Sequence, residues 1–485
     1  MSGRRWREPV EADRARHEPA AVVEAGLRNH HIANTAYPIA HDLTFGPYRV
    51  PRPQHLEVAR AAWEGLEEFG LYVHIPFCET RCSFCEYTVV GSAESGLDAI
   101  TAYGDALLHE LELWDRTIGL RGRAIAGLDI GGGTPSFVPA AEIERLLEAI
   151  RTKMGLSADA DVSIETTPKI AAAEPDKLRA YRSMGIDRIS MGIQVVQPDL
   201  LRVLDRDANG VEHHHHALDH MRAAGFERIN VDLMYGFHGQ SEASWEATLA
   251  HAIALSPEYI TLYRMRYKLT RISHHAPHVG LAAVQKLGKL AKAMLAAAGY
   301  DANPGKTTFS RIDGDVGTSR YLARRVIEGL PYLGLGLGAQ SFTDTTISYN
   351  AGSADKRLGS YLRAAAEGRL PMQDLYDLPQ RHMMAKMACV AFYFGEIDRP
   401  SFAKKFGVSL DDTFAPEIAL LRERGWMTDT ARALSLTVEG AAWVNGIIPL
   451  FSAPSVQGYL LARDPETATD MDRNRKLALR TSQLE

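Results

Sequence analysis

Cysteine is scarce in this chain, with four residues in 485. Three of the four fall within eight positions, a distribution that does not form a disulfide framework and points to ligands instead. Long apolar runs are also missing. No segment approaches the length needed to span a bilayer and the first residues lack an apolar signal-peptide core, which predicts a cytoplasmic protein with no membrane partner. Nor is there an excess of positive charge: the formal net charge is −6, so nucleic acid is not expected as a partner. What remains is the composition of a globular enzyme, 46% hydrophobic and 24% charged, on a chain long enough for about two or three structural units.

Pro9, Pro19, Pro38, Pro47, Pro51 and Pro53 break residues 1–60 into an irregular arm with one helix near 18–27. From Gly70 onward, short β-branched or apolar runs alternate with longer helical patterns. Strands are expected at 70–75, 125–130, 162–165, 188–193, 228–233 and 259–263, with helices such as 99–120, 141–154 and 245–254 between them. This alternation predicts an α/β domain over 61–355, a partial (β/α)6 barrel, which a further run at 332–338 closes or extends. Helical patterns at 383–393, 399–407 and 412–424, followed by an alternating piece at 433–436, suggest a small winged-helix-like accessory domain over 356–463. Its expected role is a lid or a substrate contact. A polar tail, 464–485, follows.

The densest chemistry is Cys78-Glu-Thr-Arg-Cys82-Ser-Phe-Cys85, directly after the first predicted strand and Pro76. Three thiolates on a short loop can hold three irons of a [4Fe-4S] cubane and leave the fourth open. A structural zinc site competes, but it wants a fourth ligand, and Cys389 lies far along the chain. Glycines in Gly131-Gly132-Gly133-Thr134-Pro135, at the end of the second strand, let backbone groups approach a ligand closely. Glu165, Gln194 and Asp232 stand at or near later strand ends, and Arg206 follows Gln194 by twelve residues. Singly, each is better read as a cap or surface residue. Together they belong to one pocket, because ligands of parallel βα folds collect at the carboxyl ends of the strands.

The CxxxCxxC spacing, preceded by Tyr72-Val-His-Ile-Pro-Phe77, resembles radical S-adenosylmethionine (SAM) enzymes, and within them the branch of oxygen-independent coproporphyrinogen III oxidase. The resemblance runs from about Asn34 to Phe451. It implies a [4Fe-4S] cluster on Cys78, Cys82 and Cys85, with SAM bound at the open iron and cleaved to a 5′-deoxyadenosyl radical. The electron would come from a donor such as flavodoxin or ferredoxin. Gly132, Gly133, Thr134, Glu165, Gln194, Arg206 and Asp232 are the implied SAM contacts. A second SAM, which members of this branch can hold, would touch Tyr72, Phe84, Tyr263 and the 333–338 loop with Gly336.

One departure stands out. Tyr87 occupies the place of a fourth cysteine in the decarboxylating oxidase, which disfavours that activity and makes Tyr87 a candidate catalytic position. Heme-trafficking relatives also lack this cysteine, but usually lack the arm. The expectation drawn from this is a class C radical SAM methyltransferase that uses two SAM molecules for C-methylation or cyclopropanation of an aromatic or unsaturated small-molecule natural-product intermediate. The alternatives are a coproporphyrinogen III- or heme-directed enzyme and a non-catalytic heme-binding relative. Arg264, Arg266, Lys268 and Arg271 would serve the first alternative by pairing with carboxylates, although a solvated loop is the stronger expectation for them. His30 and His31 tempt assignment as axial or metal ligands, and so does the histidine run 213–216, which is expected on a helix surface.

Overall fold

The computed structural model describes residues 6–39, 41–91, 95–267 and 270–464. Six strands lie side by side in sequence order, all parallel: β1 (Glu68–Ile75), β2 (Ala124–Gly132), β3 (Val162–Thr166), β4 (Arg188–Gln194), β5 (Arg228–Tyr235) and β6 (Tyr259–Arg264). Parallel neighbours require crossovers, and helices such as Leu97–Ile118, Ala140–Lys153 and Glu242–Leu255 supply them. Leu97–Ile118 shows why such a segment is a helix: Ile100, Tyr103, Leu107, Leu111 and Trp114 recur at three- and four-residue spacing and are all buried. It ends at Gly119, whose φ of 64° few other residues tolerate. The fold is therefore α/β with the parallel sheet of a partial barrel, as expected.

The sheet does not stop at six strands. Tyr332–Leu335 pairs parallel on the free side of β1, from Gly70↔Tyr332 to Val73↔Leu335. Gln340–Phe342, Thr346–Asn350 and Met372–Asp377 then add antiparallel, and Thr308–Ser310 lies antiparallel to β6 at the other edge. The main sheet thus reaches Asp377, beyond residue 355. Tyr332–Leu335 is the run expected to close or extend the sheet; the other added strands are short and antiparallel, so the βα rhythm does not announce them. Further on, helices Gln380–Ala391, Arg399–Phe406 and Ala415–Glu423 accompany a three-stranded antiparallel sheet whose first strand, Glu396–Asp398, follows the first helix and pairs with Ala433–Leu436, which also pairs with Met427–Asp429. The expected 412–424 helix breaks into Leu410–Thr413 and Ala415–Glu423, because Pro416 has no N–H to continue a helix across that point.

The arm is bolted to the C-terminal part. Helix Pro19–Arg28 packs on Val444–Ile447 and Pro454–Ala462. Buried Asp13 accepts hydrogen bonds from Tyr48 Oη at 2.6 Å and His382 Nε2 at 2.8 Å, and His382 Nδ1 is hydrogen-bonded to Tyr37 Oη at 2.8 Å. Among the described residues no helix is long and apolar enough to cross a membrane.

Candidate active site

A cavity of about 800 Å³ opens where β1 to β6 end and is lined from each of these strands, from the cysteine loop, from the arm at Tyr37 and Pro38, and from helix Gln380–Ala391. Its size suits a cofactor plus a small-molecule ligand. Cys78, Cys82, Phe84, Cys85, Tyr87, Tyr72, Gly132, Gly133, Thr134, Glu165, Gln194, Arg206, Asp232 and Tyr263 all face it. Gly336 does not. Its N–H donates to Glu110 Oε2 at 2.8 Å in a buried network behind β1, and its φ of 101° with Tyr103 and His74 pressed against it makes it a packing glycine rather than a ligand contact. A larger groove, about 1210 Å³, takes only Thr80 and Arg81 from the cysteine loop and none of the expected SAM contacts.

The cysteine loop is tied down at both ends. Cys78 N–H donates to Val90 O at 3.1 Å and Ser83 N–H to Leu204 O at 3.1 Å. Thr134 Oγ1 donates to Cys78 Sγ at 3.6 Å and Arg206 Nη1 to Cys82 Sγ at 3.5 Å. All three cysteines are free thiols, and burial pushes Cys78 up to about 12 and Cys85 upward as well. Bound metal reverses that preference, since a coordinating thiol is deprotonated outright. Among the described residues no three His, Cys, Asp or Glu side chains converge on one ion. A cubane takes one thiolate per iron and needs no such convergence.

The surroundings fit a ligand with both donors and acceptors. At Gly133 a Cβ would lie 2.8 Å from Cys78 Sγ, and at Gly132, with φ of 123°, it would lie 2.7 Å from the His74 ring. Both positions keep open the space beside the thiolates. Buried polar atoms without a hydrogen-bond partner include Gln194 Oε1 and Arg206 Nε. Gln194 sits at a register shift between β4 and β5 with φ of 70°, a strained backbone for a residue other than glycine. Orphaned polar atoms and local strain at one strand end suit a bound carboxylate and ammonium, which SAM carries.

Electrostatics point the same way. Glu165 accepts from Gly132 N–H at 3.2 Å, and its carboxyl is pushed up to about 8, first by desolvation and then by Asp232. A polar belt crosses the barrel interior below it. Ser163 Oγ donates to Asp129 at 2.6 Å, Ser190 Oγ to Asp232 at 2.9 Å, and Thr261 Oγ1 to Asn230 at 2.8 Å. Of this belt sequence reasoning reached only Asp232, and it missed His74, whose Nε2–H donates to Thr88 O at 2.7 Å while Nδ1 accepts from Tyr72 Oη at 3.1 Å. The alternation of β1 was the available signal, since Tyr72 and His74 share a face.

The basic residues need correction. Arg264 and Arg266 line the cavity rather than a solvated loop. Arg266 pairs with Glu86, and Arg264 reaches Asn445 and His30. Arg271 is exposed beside Asp205, and Lys268 lies outside the described residues. Of the histidine run, His214 is buried, not on a surface, and its Nδ1 meets His251 Nε2 at 2.9 Å.

Parallel strands, a three-thiolate loop and a glycine turn beside it define a radical SAM site, and residues 72–252 match the radical SAM superfamily. The chain thus carries a radical SAM domain, which implies a [4Fe-4S] cluster and SAM. The particular relatives are tetrapyrrole proteins. Oxygen-independent coproporphyrinogen III oxidase of Escherichia coli is 34% identical over 194 residues, 40% of this chain and 41% of that protein, so the chain matches less than half of its length. Heme chaperone HemW of Escherichia coli is 25% identical over 408 residues, 80% of this chain and 99% of the relative. The structure of coproporphyrinogen III oxidase HemN from Escherichia coli superposes with a TM-score of 0.69 at 24% identity, covering 86% of this chain and 96% of that one. These relatives overturn the expectation of a class C methyltransferase acting on a natural-product intermediate. That expectation leaned on Tyr87, and one changed position disfavours an activity without selecting its replacement.

Proposed function

We propose that this chain is a radical SAM enzyme directed at a carboxylate-bearing tetrapyrrole of the coproporphyrinogen or heme type. The observation that carries this reading is the continuity of the cavity: the space beside Cys78, Cys82 and Cys85 runs without a break to a part walled by tyrosines and cations, Tyr332, Tyr349, Arg325 and Lys386. When bound, the cluster and SAM supply reductive cleavage of the sulfonium. The chain's own residues do the rest. The backbone of Gly132 and Gly133, with Glu165, Gln194 and Arg206, orients SAM, while Tyr87 and Tyr263 project into the cavity and the arm covers it. A second SAM beside Tyr72, Phe84 and Tyr263 belongs to the same proposal, and equilibrium dialysis tests it as two SAM per chain against one. The electron is assigned to an external one-electron carrier such as flavodoxin or ferredoxin.

The test is anaerobic incubation of the reconstituted chain with SAM and dithionite, with and without coproporphyrinogen III or heme. The expected result is a several-fold rise in 5′-deoxyadenosine with a tetrapyrrole present. Indifference to both tetrapyrroles, together with failure to bind either, refutes it. Heme binding without turnover is the second reading, favoured by Tyr87 and by the match along nearly the whole heme chaperone. Stoichiometric heme binding without SAM cleavage selects it.

A further inference from the structure

Two cations sit in the cavity without a counter-ion. Lys386, on helix Gln380–Ala391, is buried, and its Nζ donates to Gln340 Oε1 at 3.1 Å and Tyr37 O at 3.5 Å. Arg325, on helix Arg320–Ile327, lays its guanidinium 4.4 Å from the Tyr332 ring centroid and donates to Tyr321 Oη at 3.3 Å, while its buried Nε has no partner. Among the described residues neither makes an ion pair, and the acceptors they do meet are neutral oxygens. The two are linked through Tyr332, whose hydroxyl also donates to Gln340 Oε1.

Burying two like charges side by side without an anion is costly, and an arginine with an idle donor beside a lysine with one to spare is a receptor for one. The lysine registers the cost: burial first, and Arg325 next, push its pKa down to about 7. A carboxylate arriving there would restore the charge. The site is also remote from the thiolates. Tyr332 pairs with Gly70, five residues before Ile75, where the chain leaves β1 for the cysteine loop. At ~3.3 Å per residue that is roughly 17 Å along the strand. Tyr72, Tyr332 and Tyr349 face the intervening space with ring surfaces suited to a flat unsaturated body.

We infer that Arg325 and Lys386 form a carboxylate-binding site that holds an acidic side chain of the substrate at the end of the cavity away from the cysteine loop. The inference rests on the tetrapyrrole reading for the identity of the ligand, and on the cavity alone for its carboxylate.

Fluorescence titration of the full chain with coproporphyrin III and with its tetramethyl ester, both without SAM, tests it. The free acid should bind the wild type at least tenfold more tightly than the ester. Arg325→Gln and Lys386→Met should each weaken the free acid at least tenfold and leave the ester unchanged. Equal binding of acid and ester by the wild type overturns the inference, and needs no variant to fold. So do variants with wild-type melting temperatures that bind the acid as the wild type does. If the wild type binds neither porphyrin, the tetrapyrrole reading falls, and a thermal-shift comparison of 3-phenylpropionate with its amide decides the carboxylate site separately. Stabilisation by the acid alone sustains the site, and no difference between the two overturns it as well.

Discussion

Replacing Gly133 by alanine should separate the cysteine loop from the glycine turn. Gly133 N–H donates to Ile75 O and Thr134 N–H to Phe77 O, both at 2.8 Å, so the turn is zipped onto the segment that enters the loop. An added Cβ would stand 2.7 Å from Pro76 O and 2.8 Å from both Phe77 O and Cys78 Sγ. Two of the three obstacles are backbone carbonyls, which cannot rotate away. Gly133 does not have a positive φ, so the effect is spatial, without a conformational penalty. Forcing a methyl group into a packed site costs about 1–3 kcal/mol. Charged to the cluster-bearing geometry, that is roughly a 5- to 150-fold loss in occupancy-competent conformation. Iron and sulfide per chain after anaerobic reconstitution, with electron paramagnetic resonance of the reduced protein, reads the loss directly. Gly155→Ala is the control, since nothing lies within 4 Å of its Cβ position. A Gly133→Ala chain that takes up a full complement of iron and cleaves SAM at the wild-type rate would refute the reasoning.

Gln194→Gly removes a left-handed non-glycine backbone worth about 1–2 kcal/mol while adding glycine's entropy in the unfolded chain. The melting temperature should hold or rise while SAM binds at least tenfold more weakly by equilibrium dialysis, and unchanged affinity counts against a SAM contact there. Glu110 accepts from Gly336 N–H, Asn350 Nδ2 and Tyr361 Oη, and burial lifts its carboxyl from 4.5 to about 7. Between those values the folded chain holds a proton the unfolded chain has released, so stability falls as pH rises, by about 3 kcal/mol in all. Urea unfolding from pH 5 to 8 should show this slope in the wild type and not in Glu110→Gln; coincident slopes would remove the assignment. At Asp13, burial alone would raise the carboxyl, but the hydrogen bond and charge of His382, with Tyr48 and Ser455, hold it at about 2. That stabilisation, about 2 kcal/mol, is present above pH ~4 and lost as pH falls through 2. Asp13→Asn should lower stability by this order at pH 7 and speed limited proteolysis of the arm, and an arm as resistant as the wild type's argues against the clamp.

The six strands were legible because each is a short apolar run between helical patterns, and the cysteine loop because three thiols in eight residues have few uses. The polar belt was not legible for a geometric reason. Asp129, Ser163, Asn230 and Thr261 come one from each of β2, β3, β5 and β6, and no spacing within a single strand announces that they meet. Only lateral register brings them into contact, as in Asp129↔Ser163 and Asp232↔Thr261. Gly336 failed for the opposite reason. A glycine in a strand-end loop resembles a ligand-approach position, and nothing local discloses that Glu110, 226 positions away, takes its N–H.

The same distinction divides the two ends of the cavity. The end beside the cysteines is built from strand ends and two adjacent turns, so its residues recur in chain order and motif reasoning reaches them. The other end is assembled from helix Arg320–Ile327, helix Gln380–Ala391, the added antiparallel strands and the arm, pieces with no common rhythm. Arg264 illustrates the consequence. As a basic residue after a strand it reads as solvated, yet its partners are His30 of the arm and Asn445 near the C-terminus, 234 and 181 positions away. On the proposed reading, substrate identity is therefore written where sequence order carries least information. A relative at 24% identity shares the fold, while side chains such as Arg264, His30 and Asn445 meet only in three dimensions.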